Sequence, residues 1–137
     1  MATVKFIEYE QASPEVRDVY DDIMATRKTD RVNNFWKALA VQPELLRRTW
    51  NGVKQVMAPG ALDPLIKELV YVAVSVTNGC TYCINTHTAA ARLKGMNDAM
   101  LSELMAVVGM ANQTNTLANG FQIEVDEPFK DGGRGAG

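Results

Sequence analysis

The sequence predicts an all-α fold, a single-domain helical bundle of about six helices. Ser13-Pro14 and Asp63-Pro64 each place a capping side chain before a proline, which is favoured at the first helical position. Apolar residues follow both pairs at helical spacing. Strand candidates are too few to build a sheet. With 137 residues, of which 47% are hydrophobic and 22% charged, the chain is long enough to bury a core.

The predicted helices follow one another along the chain, each bounded by start and stop signals. They cover residues 14–26, 35–40, 43–57, 64–77, 80–94 and 98–119. Pro43 begins the third helix, and the Ala-Pro-Gly run at residues 58–60 ends it. We expect Gly95 to end the fifth helix in a left-handed conformation and Asn97 to cap the sixth. Residues 121–125 should be short and extended, and residues 132–137 disordered.

Residues 69–76 are ambiguous, because a short valine-rich apolar run is compatible with a buried strand or a buried helix. A strand followed by Cys-x-x-Cys at a helix start would be the thioredoxin arrangement. Asp63-Pro64 sets up a helix start just upstream, and the rest of the chain offers no sheet. We therefore expect a fully buried helix here.

Charge and composition exclude several functional classes. The net charge is −2 and basic residues are scattered, so nothing favours nucleic acid or an anionic membrane as a partner. Residues 1–11 lack the long apolar stretch of a signal peptide, and the longest apolar segment is too short to span a bilayer. We expect a cytoplasmic protein, in which a close cysteine pair is catalytic, redox-sensing or metal-binding rather than a structural disulfide.

Both cysteines and the only histidine of the chain lie within eight positions, as Cys80, Cys83 and His87. In a helix, offsets of three, four and seven put these side chains on one face. After the break at Asn78-Gly79 the cysteines fall in the first helical turn, where unpaired backbone N–H groups and the helix dipole favour a thiolate. His87 can take the proton of Cys83. Cys80 can form a disulfide with an oxidised Cys83.

Glu68 is the only acidic residue between Pro64 and Met96, at the head of an apolar segment. A carboxylate is costly to bury there without a partner, and a contact with His87 would orient the imidazole. The sequence leaves that contact open. A zinc site built from these four side chains is the competing interpretation, although three ligands from adjacent turns of one helix spread poorly around a tetrahedron.

The combined pattern is Glu68, eleven residues, Cys80-x-x-Cys83, three residues and His87, followed by Gly95. In this pattern the chain resembles the alkyl hydroperoxidase D-like (AhpD-like) proteins of the carboxymuconolactone decarboxylase family. The resemblance is best over residues 33–96. The combined pattern is much more specific than Cys-x-x-Cys alone.

The resemblance implies an all-α fold that assembles into obligate trimers or hexamers and reduces organic or hydrogen peroxides through thiols. It implies that Cys83 is the peroxidatic thiol and Cys80 the resolving one. His87 and Glu68 would relay the proton. The partners would be a peroxide and an external dithiol, from a lipoyl protein or a thioredoxin-like one, with no metal or other cofactor. The best-known members carry a second histidine where this chain has Tyr82.

On the same basis, residues 31–125 would form the core domain typical of the family, preceded by an N-terminal helical segment (1–30) and followed by a flexible tail (126–137). Two alternatives stay open. One is a carboxymuconolactone decarboxylase-like enzyme, from the branch of the family that acts on a lactone without a cysteine pair. The other is a non-enzymatic helical module that senses redox state or binds zinc.

Overall fold

Helices make up the regular secondary structure of residues 1–134, the part of the chain that the computed structural model describes. The α-helices are α1 (Pro14–Arg27), α2 (Asn34–Leu39), α3 (Pro43–Met57), α4 (Pro64–Thr77), α5 (Thr81–Leu93) and α6 (Asp98–Gly120). Two short 3-10 helices, Tyr9–Gln11 and Glu127–Phe129, flank them. No strand occurs in these residues, so the predicted all-α fold of about six helices is confirmed.

Polar side chains cap three of the helices at the positions that the sequence indicates. The acceptor and donor pairs are Ser13 Oγ with Val16 N–H at 3.3 Å, Asp63 Oδ1 with Leu65 N–H at 2.8 Å, and Asn97 Oδ1 with Met100 N–H at 2.8 Å. Each bond satisfies a backbone donor that the first helical turn leaves without an intrahelical partner. The starts of α1, α4 and α6 therefore follow from local sequence.

Residues 1–59 form one compact unit with its own hydrophobic core. In this unit α1 and α2 pack against α3. Tyr20 and Leu46 are completely buried, and the Tyr20 hydroxyl donates a hydrogen bond to the Ile7 carbonyl at 2.8 Å. The rings of Trp36 and Trp50 meet edge to face, with centroids 5.3 Å apart. None of the candidate site residues lies in this unit.

Residues 60–134 belong to a second unit, in which α4 packs against α5 and α6. Val72 on α4 and Ala91 on α5 are completely buried. Asn78 and Gly79 turn the chain between the two helices, and Gly79 has a φ of +68°, which glycine adopts at little cost. The α4–α5 hairpin carries all four candidate site residues.

The predicted helix over residues 69–76 is confirmed, but its complete burial is wrong for the single chain. Ile66, Val70 and Val74 are 46%, 51% and 53% exposed. Their spacing of four residues places them along one side of α4, opposite the side that contains the buried Glu68 and Val72. Helix α4 therefore has apolar side chains on two sides, and the described residues of the chain bury only one of these sides.

The C-terminal segment contains little regular structure. Residues 121–122 form a turn, and residues 123–126 have none. The predicted flexible tail begins with the 3-10 helix Glu127–Phe129, and residues 135–137 lie outside the described residues. The domain boundaries at residues 30 and 125 stay predictions. Among the helices described, none combines the length and the apolar character needed to cross a membrane.

Candidate active site

The turn between α4 and α5 determines where both thiols lie. The Cys80 N–H donates a hydrogen bond to the Ser75 carbonyl at 2.9 Å, which ties the turn to the end of α4. Cys80 is the N-cap of α5 rather than its first helical residue, and its Sγ accepts a hydrogen bond from the Cys83 N–H at 3.3 Å. The Cys-x-x-Cys spacing is thus the spacing from an N-cap to the backbone donor it satisfies.

The two free thiols differ in acidity. The pKa of Cys80 is lowered, because its sulfur accepts hydrogen bonds from the Cys83 thiol and from the Cys83 backbone N–H. The pKa of Cys83 is raised to about 11 by burial, by its hydrogen bond to Cys80 and by the negative charge on Cys80. The lowered pKa expected of both cysteines applies to Cys80 alone. Cys80 is therefore the more acidic thiol of the pair.

Glu68 and His87 are in direct contact, which the sequence had left open. Glu68 is only 6% exposed, and its Oε2 lies 2.7 Å from His87 Nδ1. An ionised carboxylate can only accept, so Nδ1 carries the hydrogen and donates it. In the neutral imidazole, Nε2 then has the free lone pair and can accept a proton.

Tyr71 stacks on His87, a contact that sequence analysis missed. The two rings are nearly parallel, at 17°, with centroids 3.6 Å apart. Tyr71 lies three residues after Glu68 on α4, so both side chains point from one face of α4 towards the same imidazole. That spacing is the signal that could have found it. The stack and the Nδ1 hydrogen bond together fix the plane and the rotation of the ring.

Lys94 completes the surroundings of Glu68. Its Nζ lies 3.1 Å from Glu68 Oε1, the carboxylate oxygen that His87 does not use. Burial of Glu68 opposes ionisation, yet the hydrogen bonds from His87 and Lys94 and the positive charge of Lys94 outweigh it and lower the pKa of the carboxyl group. Sequence analysis had no signal for Lys94, because a basic residue in the last turn of a helix is common.

The remaining sequence expectations about this region have mixed outcomes. Tyr82, at the position of the second histidine in the best-known members, has an exposed side chain.

The described residues contain no group of three or more His, Cys, Asp or Glu side chains arranged to hold a metal ion. Both oxygens of Glu68 are already paired with His87 and Lys94. The zinc-binding alternative therefore finds no assembled set of ligands in residues 1–134.

Comparison with known families identifies the family to which the chain belongs. The model of the carboxymuconolactone decarboxylase family matches residues 43–123, which include all of α3, α4, α5 and α6. The chain belongs to this family. Its candidate site lies wholly inside the matched region.

A solved structure places the chain close to one branch of the family. The crystal structure of the alkylhydroperoxidase AhpD core from Rhodospirillum rubrum superposes with a TM-score of 0.90 and 53% sequence identity, covering 94% of this chain and 97% of that one. The predicted resemblance to AhpD-like members of the carboxymuconolactone decarboxylase family is confirmed.

Curated relatives match over shorter stretches. The alkyl hydroperoxide reductase AhpD of Solibacter usitatus is 33% identical over 72 residues, which are 53% of this chain and 39% of that protein. An uncharacterised protein from the cox locus of Paracoccus denitrificans is 39% identical over 54 residues, 39% of this chain and 49% of that protein. The chain thus spans less than half the length of these two relatives.

Replacing Glu68 with glutamine should remove a pH-dependent part of the stability. Because folding lowers the pKa of Glu68, its contribution is complete above the unfolded value of about 4.3 and is lost as the pH falls through the lower folded value. We expect Glu68→Gln to reduce the free energy of unfolding by about 1–3 kcal/mol at pH 7. The difference from wild type should shrink below about pH 4. Urea denaturation at several pH values measures it.

The matched control for that measurement is Glu103→Gln, which changes an exposed glutamate on α6. It should leave the free energy of unfolding nearly unchanged at every pH. A deficit of Glu68→Gln that stays constant from pH 7 to pH 3 would contradict the role of ionised Glu68.

The order in which the thiols ionise can be measured one thiol at a time. Cys83→Ser leaves Cys80 as the single thiol, and Cys80→Ser leaves Cys83. We expect the thiolate absorbance of Cys80 to appear at least about one pH unit below that of Cys83. The backbone N–H stabilises the Cys80 thiolate, whereas burial destabilises the Cys83 thiolate. Equal midpoints, or the reverse order, would contradict this assignment.

Proposed function

We propose that the protein is a thiol-dependent peroxidase of the alkyl hydroperoxide reductase type, with Cys80, Cys83, His87 and Glu68 as its catalytic residues. The observation that carries this proposal is the hydrogen-bonded Cys80–Cys83 pair at the start of α5, on the same hairpin as the Glu68–His87 pair. Among the relatives, those from Solibacter usitatus and Rhodospirillum rubrum have AhpD in their names. A disulfide oxidoreductase acting on the same pair is included in this class.

The first step of the proposed cycle needs a base. With a pKa of about 11, Cys83 is a thiolate in only about one molecule in 10⁴ at pH 7. His87 lies four residues along the same helix, and we assign its Nε2 to take the proton of Cys83, directly or through one water. The Cys83 sulfur then bonds to an oxygen of the peroxide while the O–O bond breaks. The leaving alkoxide takes the proton from His87, which yields an alcohol and a sulfenic acid on Cys83.

The second step uses the acidity of Cys80. Its lowered pKa supplies the thiolate that attacks the sulfenic sulfur of Cys83. A sulfur–sulfur bond forms, the S–O bond breaks, and the hydroxide leaves as water after taking a proton. An external dithiol then returns two electrons and two protons to the pair and is itself oxidised to a disulfide. We propose a lipoyl protein or a thioredoxin-like protein as this reductant, in the cytoplasm.

The sequence alternatives fit the site less well. The decarboxylase interpretation assigns no role to two thiols that share a hydrogen bond. The non-enzymatic redox module would use the same Cys80–Cys83 disulfide but would not turn over peroxide with a dithiol. Turnover therefore separates it from the proposed enzyme.

Peroxide consumption with an organic hydroperoxide and a dihydrolipoyl dithiol tests the function. Cys83→Ser should lower the rate on the order of 10³-fold or more, because the attacking sulfur is lost. Cys80→Ser should stop turnover and accumulate a Cys83 sulfenic acid that dimedone traps. Oxidised wild type should contain a Cys80–Cys83 disulfide in mass spectrometry.

The control variant is Thr81→Ser, which changes a residue between the two cysteines and should keep the wild-type rate. If Cys83→Ser consumed peroxide as fast as wild type, Cys83 would not be the attacking thiol. If the wild type formed the disulfide but did not turn over with any dithiol, the non-enzymatic module would replace the proposed enzyme.

We also propose that the chain assembles into a homo-oligomer, a trimer or a hexamer. The exposed apolar side of α4 is one reason for this proposal. A second is α6, whose residues are all exposed from Gly109 to its end at Gly120, Met110 and Leu117 among them. Exposed apolar side chains that share one side of a helix are typical of protein–protein contact sites.

Light scattering of the purified protein tests the assembly. Val70→Glu places a carboxylate on the exposed apolar side of α4 and should lower the subunit count, since an unpaired charge is costly to bury in an interface. The control, Gln55→Glu, adds the same group at an exposed position on α3 and should leave the count unchanged. A wild-type mass of one chain would contradict the proposal.

A further inference from the structure

We propose that Lys94 is a positioning residue of the Glu68–His87 pair: its ammonium group balances the charge of the buried carboxylate and so disfavours the addition of a proton to His87, which the proposed function uses as a base. This inference rests on the role of His87 in the proposed function. It assigns a task to a residue outside the Glu-Cys-Cys-His pattern.

The geometry places Glu68 between two donors from α5. Oε2 accepts from His87 Nδ1 at 2.7 Å, and Oε1 accepts from Lys94 Nζ at 3.1 Å. His87 is in the middle of α5 and Lys94 is its C-cap, two turns later. Each carboxylate oxygen has one charged or polar partner, so the carboxylate cannot rotate without breaking a bond. Lys94 therefore also helps to fix the orientation of the carboxylate against the imidazole.

The charges of this group explain why Lys94 matters for His87. With Lys94 present, the carboxylate and the ammonium sum to zero, and a proton added to the imidazole creates a net positive charge. Without Lys94, the same proton would neutralise a lone carboxylate 2.7 Å away, which favours the imidazolium form. An imidazolium has no free lone pair and cannot accept the proton of a thiol.

Other titratable groups do not replace Lys94. On α5, Arg92 is paired with Asp98 at the start of α6, at 2.6 Å. Within the described residues, the side chains that act on the charge of Glu68 are His87 and Lys94. His87 itself faces Glu68 and Tyr71 on α4, and Cys83 precedes it by one turn on its own helix.

The single histidine makes the test direct, because the imidazole resonances in NMR belong to His87 alone. We expect the midpoint of the His87 titration to rise by about half a pH unit or more in Lys94→Met. The rise should be smaller than for a fully buried ion pair, because the lysine side chain is 39% exposed and water partly screens its charge. Lys94→Gln should show the same rise, since it keeps a hydrogen-bond donor but removes the charge. Lys94→Arg should keep the wild-type midpoint.

Arg92→Gln is the matched control, because it removes a cation from the same last turn of α5 but leaves Glu68 paired. It should leave the midpoint unchanged. In peroxide turnover, the acidic limb of the plot of kcat/KM against pH should shift to higher pH in Lys94→Met and Lys94→Gln. The shift should equal that of the NMR midpoint. A structural role alone would lower the rate without moving that limb.

A His87 midpoint that is the same in wild type, Lys94→Met and Lys94→Gln overturns the inference. So does an equal rise in Arg92→Gln, which would attribute the effect to the helix end rather than to Glu68. A rise confined to the two uncharged variants, in a protein whose wild type does not turn over peroxide, supports the charge balance and refutes the peroxidase instead.

Discussion

The buried carboxylate of Glu68 is the constraint on which the candidate site depends. A carboxylate that is 6% exposed is stable in its ionised form only when donors replace the lost water. Here both donors, His87 and Lys94, come from α5, so the ionisation of one residue on α4 depends on how the two helices pack. The same contact selects the imidazole tautomer: an ionised carboxylate can only accept, so Nδ1, the ring nitrogen beside it, must carry the hydrogen.

The turn between α4 and α5 makes a second contribution, through the backbone. Gly79 adopts a positive φ, which allows the chain to reverse within two residues and brings Cys80 to the N-cap of α5. A thiol at an N-cap accepts a backbone hydrogen bond, and this contact lowers the pKa of Cys80, together with the hydrogen bond from the Cys83 thiol. The position at which α5 begins thus makes Cys80 the more acidic of the two cysteines.

These two features give the cysteines complementary chemistry. Cys83 is partly buried, and this burial together with the neighbouring Cys80 raises the pKa of its thiol. The pKa of Cys80 is lowered, so its thiol is the more acidic of the two. Glu68 and Tyr71 contact the imidazole from α4, and Lys94 contacts the Glu68 carboxylate from the end of α5.

The sequence by itself determined the helices and the spacing of the reactive residues. Capping residues such as Ser13, Asp63 and Asn97 act on neighbours a few positions away, so local patterns suffice to predict where those helices begin. Only the tertiary structure decided that Glu68 meets His87, that Lys94 joins them, and that one side of α4 stays uncovered. These contacts join residues 19 and 26 positions apart or depend on what packs against a helix. No periodicity within one helix encodes them, because they depend on the relative position of two helices.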